Sequence, residues 1–167
     1  MRILILLAAL ALAPALPAAP RDYTLDERAS EVAFSWQFGE DTFTGTMEIA
    51  QADLSIDFDT VGNSQVSVAV DASRAEAGFP FATEAMRGPR VLNTAAHPLI
   101  SFRSRSFERT GPGTARIEGD LTVRGVTRPA VLTAQIYRAP GSDPGDLSRL
   151  TVLLNGALSR SAYGADG

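Results

Sequence analysis

The sequence predicts an all-β protein, an extended antiparallel β-barrel of about eight strands with short helices in its middle connection. Short runs of alternating apolar and polar residues recur along the chain, as in strands with one buried face. Turn-forming residues separate these runs at nearly regular spacing. Every run is half polar, which excludes a parallel sheet buried on both faces. A sandwich fits the same pattern, but a meander of hairpins closes into a barrel without long return connections.

The N-terminal segment 1–19 predicts a secretory signal peptide and not a part of the fold. The segment begins with the positively charged Met1-Arg2, continues with an apolar run at 3–12 and ends with small or proline residues up to position 19. Secretory signal peptides have this composition. Residues 20–167 then form one domain with one sizeable core. The chain has no cysteine, so an exported domain without disulfides is expected, which favours a bacterial periplasm. The net charge of -4 argues against a nucleic-acid partner.

The first strands carry the bulkiest apolar residues. Residues 32–38 predict a strand with four large side chains on one face, namely Val32, Phe34, Trp36 and Phe38. A turn at 39–41 leads to a returning strand at 43–49. Residues 54–59 and 66–70, joined by a turn at 61–64, form the clearest hairpin. Its alternation places Asp57 and Asp59 on the solvent face.

The alternation stops between residues 71 and 97. Residues 73–77 predict one helical turn, and residues 83–87 predict another, with Thr83 as its N-cap. A connection of this length inside a compact domain is usually functional. We therefore expect this connection to form the mouth of the barrel.

Four strands are predicted in the second half of the chain, at residues 99–104, 115–123, 130–137 and 150–158. Gly125 provides the backbone freedom for the turn between the second and third of these strands. Pro129 has no N–H group, so it should begin the next strand or lie at its edge.

Few residues are suited to catalysis. His97 is the only histidine and no cysteine exists, so a metal site or an activated nucleophile would depend on this one side chain. A structural role at the turn formed with Pro98 fits His97 better than a headgroup contact, and a headgroup contact fits better than catalysis. No glycine-rich phosphate loop precedes a helix. We expect no enzyme activity, no catalytic residue and no metal.

Six aromatic side chains are the candidate lining of an apolar interior. Spacing alone allows either a packed aromatic core or the wall of a tunnel. Association costs ~4–15 kcal/mol, whereas apolar burial returns about 25 cal/mol per Å², so a ligand held by apolar contact must be long. The candidates are Phe34, Trp36, Phe38, Phe43, Phe58 and Phe102.

Several segments resemble the YceI-like family of secreted bacterial proteins. The most specific are residues 98–104, with the pattern Pro-x-Ile-x-Phe-x-Ser, and residues 119–127, with the pattern Gly-x-Leu-Thr-x-x-Gly-Val-Thr. The further matching segments are 23–26, 32–34, 45–47, 72–73 and 158–164. Together they extend through nearly the whole mature chain.

The resemblance implies a lipocalin-like barrel that binds a polyisoprenoid, such as a quinone tail or a prenyl lipid, or a fatty amide. It also implies a periplasmic location and association with a cytochrome b561-type membrane protein. The early histidine motifs of the family are replaced here by Ala29-Ser30 and Gln37-Phe38-Gly39, so no headgroup contact carries over from those histidines. Family members usually have one more strand after the 158–164 segment, so we expect the closing strand to be missing.

The sequence thus predicts a non-catalytic periplasmic carrier for one long isoprenoid lipid or quinone, without another cofactor. Arg87, Arg90 and His97 are the candidate headgroup contacts. The expected partners are the isoprenoid or fatty ligand, the cytochrome and a second copy of the chain in a homodimer. The alternative is a protein-interaction module with a solid core that docks the cytochrome.

Overall fold

A computed structural model describes residues 19–38 and 40–166. Residues 1–18 of the expected signal peptide and the side chain of Phe38 lie outside this description. The strands are β1 (Arg21–Tyr23), β2 (Val32–Phe38), β3 (Asp41–Ile56), β4 (Gln65–Glu76), β5 (Leu99–Gly111), β6 (Thr114–Val123), β7 (Val126–Arg138) and β8 (Leu150–Gly156). The helices are α1 (Pro80–Arg87) and the 3₁₀ turns Val61–Asn63 and Ser161–Tyr163.

The eight strands form one antiparallel sheet, which confirms the predicted fold class. From β3 to β8, each strand pairs with the next one in the chain, while β1 and β2 pair with different parts of β3. The sheet curls into a half-barrel. Within the described residues β8 pairs with β7 and with no other strand. A seam therefore separates β8 from β1 and β2.

Strand register places apolar side chains on the inner face of the sheet. Val68 lies opposite Phe102, and Phe102 lies opposite Leu121. Three adjacent strands therefore place large apolar side chains side by side on the inner face. The preceding or following residues on these strands, Ser67, Arg103 and Asp120, form the matching polar row on the outer face. Side chains alternate between faces along a strand, so this register explains the period-two pattern of the sequence.

The core consists of two clusters. The first lies near α1 and the C-terminal 3₁₀ turn, and its buried members are Met47, Val70, Ala72, Ala75, Leu92, Val123 and Tyr163. The second is centred on Phe102, Ile117 and Ala134 in the middle of β5, β6 and β7. The first cluster lies at one end of the half-barrel, where residues of α1 and of the loop after it pack against the inner face.

Two glycines on the inner face lie beneath aromatic rings. A Cβ atom at Gly45 would collide with the ring of Phe34 and the carbonyl oxygen of Glu76. A Cβ atom at Gly119 would collide in the same way with the ring of Phe102. Absence of a side chain at these positions lets the rings lie flat across the neighbouring strand.

The middle connection differs from the prediction in two respects. Residues 73–76 belong to β4 instead of forming a helical turn, and α1 is the one α-helix of the connection in the described chain. Thr83 is not the N-cap, because Phe79 occupies that position and Pro80 begins the helix, where a missing N–H costs nothing. Instead, the Thr83 hydroxyl accepts a hydrogen bond of 3.0 Å from the Ala77 N–H.

Asp57 is also placed differently from the prediction. β3 ends at Ile56, and Asp57 is buried in the following turn instead of facing solvent. Its carboxylate accepts hydrogen bonds from the backbone N–H groups of Asp59 and Thr60 and from the side chain of Asn63. Asp59 is exposed, as expected. Alternation did not reveal this turn because the strand pattern continues in the sequence beyond its end.

Pro129 occupies the edge position that the sequence predicted. It lies within β7 opposite Asp120 of β6, whereas the pairing of β7 with β8 begins only at Leu132. Pro129 thus lies where β7 has a neighbouring strand on one side. A missing N–H group is tolerated there.

Candidate ligand-binding groove

A groove of about 870 Å³ runs along β1, β3, β4 and β5. This volume is within the usual range of small-molecule sites. Its apolar lining comes mainly from inner-face residues, namely Ile49, Ala52, Leu54 and Val66. Its polar lining includes Gln51, Asp53, Gln65 and Arg103. The apolar residues face inward, whereas Gln51, Asp53, Gln65 and Arg103 alternate with them on the exposed outer face, so the groove is open to solvent and is lined from both faces of these strands.

Tyr23 connects the two sides of the seam beside this groove. Its hydroxyl donates a hydrogen bond of 2.8 Å to the carbonyl oxygen of Leu147, in the loop before β8. Its ring packs edge-on against Phe58, with 6.3 Å between ring centroids. Burial raises the pKa of Tyr23, while the nearby charge of Arg21 lowers it by a smaller amount. The phenol stays protonated at neutral pH and can act as the donor.

Three of the six candidate lining residues lie together near α1. Trp36 stacks on Phe43 at a centroid distance of 4.9 Å, and Phe43 packs edge-on against Phe79 at 5.6 Å. Phe34 packs against the first core cluster. The indole Nε1 of Trp36 is buried and has no hydrogen-bond partner among the described residues. This aromatic group is half-buried and not fully packed.

The other candidate lining residues are distributed along the interior. Phe102 is 7% exposed and belongs to the second core cluster. Phe58 lies beyond the end of β3, against Tyr23. The structure thus places the candidates at both ends and in the middle of the inner face, and the side chain of Phe38 is outside the description. Their contact with a ligand remains a prediction.

The three candidate headgroup residues lie around α1 and the loop after it, away from the groove lining. Arg87 donates from Nε to the Ala75 carbonyl oxygen at 2.9 Å. Arg90 is exposed. The ring of His97 lies directly against Gly125 in the β6–β7 turn, which agrees with a role in fixing that region. Their contact with a headgroup likewise remains a prediction.

The apolar residues of β8 were not among the predicted lining residues. Val152 lies opposite Ile136, and Leu154 lies opposite Ala134 of the second core cluster, so both belong to the inner face. They are 50% and 41% exposed. Alternation along a strand puts positions 152 and 154 on one face. It did not show that this strand is at an edge where the inner face stays open to solvent.

The described residues contain neither a metal-binding cluster nor a membrane-spanning helix. No group of three or more His, Cys, Asp or Glu side chains in them could hold a metal ion. No helix in the same part of the chain has the length and apolar character needed to cross a bilayer.

The strand topology and apolar inner face define an antiparallel, lipocalin-like barrel that is open along one side. Comparison with known proteins identifies the family. The sequence model of the YceI-like domain matches residues 23–167, and the chain therefore belongs to the YceI-like family. The resemblance carried by residues 98–104 and 119–127 is confirmed.

Three relatives illustrate how far the similarity extends. A UPF0312 protein of Ectopseudomonas mendocina is 32% identical over 150 residues, which cover 83% of this chain and 75% of the relative. Protein YceI of Escherichia coli is 28% identical and aligns over 74% of this chain and 65% of its own length. The crystal structure of Burkholderia cenocepacia BcnA superimposes with a TM-score of 0.70 and 17% identity, covering 84% of each chain. The BcnA comparison supports the fold.

Proposed function

We propose that this protein is a periplasmic carrier that holds one long isoprenoid lipid, of the quinone or polyprenyl type, without covalent chemistry. The observation that carries the proposal is the accessible inner face. At the seam, Val152 and Leu154 expose about half of their surface, and on the opposite side of the inner face Ile49, Ala52 and Leu54 are only partly buried. An apolar chain lying along the inner face would cover both surfaces.

The proposed mechanism is desolvation of the lipid tail. Apolar burial contributes about 25 cal/mol per Å², and the loss of translational and rotational freedom on association opposes it by ~4–15 kcal/mol. The tail must therefore bury several hundred Å², which an isoprenoid chain does and a small metabolite does not. The polar headgroup would stay at the α1 end, where Arg87, Arg90 and His97 are its proposed contacts.

The periplasmic location is part of the same proposal. It is supported by the signal-peptide composition of residues 1–19 and by the absence of cysteine. A carrier in that compartment would shield an isoprenoid tail from water between membrane-bound sites. Of the predicted partners, the lipid is thus the one that the inner face itself supports.

Trp36 provides a direct test because it is the only tryptophan and lies on the inner face. Quinones quench indole fluorescence, so the mature protein can be titrated with quinones that share one headgroup and differ in tail length. We expect saturable, one-to-one quenching whose affinity rises with tail length. N-acetyltryptophanamide serves as the control for collisional quenching. Equal quenching by a tailless quinone, or no saturation with any tail, would contradict the proposal.

A second candidate is an interaction module that docks a cytochrome b561-type membrane protein. The observation in its favour is Leu153, which lies on the outer face of β8 and is 49% exposed. In that case Leu153→Asn should abolish capture of the detergent-solubilised cytochrome. The quinone titration would then show no dependence on tail length.

A further inference from the structure

Three chain segments at the α1 end of the half-barrel form a surface rich in arginine. They are residues 88–98, 124–128 and 158–164, here called the basic patch. These segments contain Arg90, Arg124, Arg128 and Arg160 and no carboxylate. The whole chain, by contrast, contains 15 basic and 19 acidic residues. Positive charge is therefore concentrated on a protein whose net charge is negative.

Direct contacts join the three segments into one surface. Arg124 donates a hydrogen bond of 2.7 Å to the carbonyl oxygen of Pro89, which connects the turn at 124–128 to the loop after α1. Arg128 donates to the carbonyl oxygen of Ala162, which connects the same turn to the C-terminal segment. The ring of His97 against Gly125 provides another contact. The basic patch is thus contiguous.

The positive charges of the basic patch are not neutralised by ion pairs. The salt bridges of the described chain involve Arg74, Arg105 and Arg116, and none of these belongs to the patch. Arg124 and Arg128 bond backbone carbonyl oxygens, which leaves their charge uncompensated. Glu84, Asp120 and Asp166 are the acidic residues that flank the patch in sequence, and Asp120 forms a salt bridge with Arg105.

Exposed apolar side chains accompany these arginines. Val126 and Leu158 lie within the patch and are 37% and 51% exposed, and Leu99, directly after it, is 48% exposed. Exposed apolar groups among arginines are the combination found in surfaces that bind the headgroup region of a membrane. Each basic residue near an anionic bilayer strengthens binding, and the apolar groups add burial at the acyl boundary.

We propose that the basic patch docks this protein on an anionic lipid bilayer. The remainder of the molecule is acidic and is repelled by such a bilayer, so attraction is confined to one face and fixes the orientation. In that orientation the α1 end faces the lipid. The inference goes beyond the carrier function. Arg90 and His97 are shared with the proposed headgroup contacts, so docking is measured with cargo-free vesicles, while Arg124, Arg128 and Arg160 are separate from both the groove lining and those contacts.

The test uses co-sedimentation of the mature protein with cargo-free vesicles. The probe is an equimolar mixture of phosphatidylglycerol and phosphatidylcholine, compared with phosphatidylcholine alone. The test variant is Arg90→Gln with Arg160→Gln, because both side chains are exposed and neither forms a hydrogen bond or salt bridge in the described chain. The matched control is Arg138→Gln with Arg149→Gln, two exposed arginines at the opposite end that change the net charge equally.

We expect binding to the anionic vesicles and little binding to phosphatidylcholine alone. Each arginine near the surface should contribute roughly fivefold to the partition coefficient. The partition coefficient of the test variant should therefore fall about 25-fold, and that of the control variant should change little. Leu158→Ser, which removes no charge, should also weaken binding. Equal loss in test and control variants, or equal binding to both vesicle types, would overturn the proposal.

Displacement from the vesicles by inorganic phosphate at constant ionic strength would also overturn it, because the arginines would then form a discrete anion pocket. The quinone titration of Trp36 reports separately on cargo binding. Failure of docking with tail-dependent quenching intact would remove the membrane surface and leave the carrier function. Failure of tail-dependent quenching with docking intact would remove the carrier function and leave the membrane surface.

Discussion

Single glycines on the inner face determine how closely its aromatic rings approach the sheet. Gly45 and Gly119 each accommodate a phenylalanine ring from a neighbouring strand in the space where a Cβ atom would stand. At Gly45 the backbone carbonyl oxygen of Glu76 also limits this space. A backbone atom cannot rotate away as a side chain can. The first core cluster should therefore be sensitive to even one added methyl group at Gly45.

Gly45→Ala should lower the free energy of unfolding by ~1–3 kcal/mol, as overpacking in a core usually does. Gly62→Ala is the control, since no atom lies within 4 Å of a Cβ placed there. Urea denaturation of both variants measures the difference. A stability of the Gly45 variant equal to that of the Gly62 variant would show that Phe34 and β4 move aside.

Asp57 should make stability depend on pH. Hydrogen bonds from the Thr60 N–H, the Asn63 side chain and the Asp59 N–H hold the pKa of Asp57 below its ordinary value, with burial opposing them. The ionised form is thus favoured in the folded state. Its stabilising contribution is present above the unfolded-state pKa of about 3.9 and is lost as the pH falls through the lower folded-state value.

Asp57→Ala should therefore lower the midpoint of urea unfolding clearly at pH 7 and progressively less as the pH falls below about 4. Asp59→Ala is the control, because Asp59 is in the same turn with an exposed side chain. A constant effect of Asp57→Ala from pH 7 down to pH 2.5 would mean that ionisation of Asp57 contributes nothing.

At the scale of single elements, β8 determines whether the inner face is accessible. It is the last strand of the open sheet, and its two faces carry apolar residues of similar exposure. Leu154 faces inward opposite Ala134, while Leu153 faces outward opposite Gln135. Leu154 is 41% exposed and Leu153 is 49% exposed. Exposure therefore does not distinguish them, and only the inner residue can touch a ligand on the concave face.

Leu154→Asn should weaken binding of a long-tailed quinone by roughly fivefold, because about half of a leucine side chain would no longer bury apolar surface against the tail. Leu153→Asn should leave the affinity unchanged. Fluorescence titration through Trp36 measures both. A larger loss with Leu153→Asn would indicate that the outer face of β8 is the binding surface and would favour the docking module.

The elements also show what the sequence could and could not predict. Alternation and turn residues predicted the strands and the sheet class, because burial of one face imposes a period of two on every strand. They failed at Asp57, where local hydrogen bonds end the strand while the alternation continues. They also failed at residues 73–76, where helix-forming residues extend β4 through its pairing with β3.

The candidate site was less predictable than the fold. Spacing identified large inward-facing residues such as Phe34 and Phe102, but it could not separate a buried core residue from a groove residue, since both lie on the same face. The role of Tyr23 depends on a contact with Leu147, 124 positions away in the chain. No pattern in the local sequence indicates such a contact.

At the scale of the whole molecule, the half-barrel has two different ends. The α1 end contains the first core cluster and carries the arginines of the basic patch. The groove extends toward the other end, where Tyr23 and Leu147 join the two sides of the seam. A carrier that docks through its basic end and holds a tail along its inner face would use both features together.

The central claim is that the inner face holds one long isoprenoid chain. The most direct measurement is organic extraction of the mature protein, purified without detergent from its native host, followed by mass spectrometry of the extract. We expect a single class of polyprenyl lipid or quinone at about one molecule per chain, reduced in the Leu154→Asn variant. An extract with nothing beyond the lipid background of an unrelated periplasmic protein would contradict the claim.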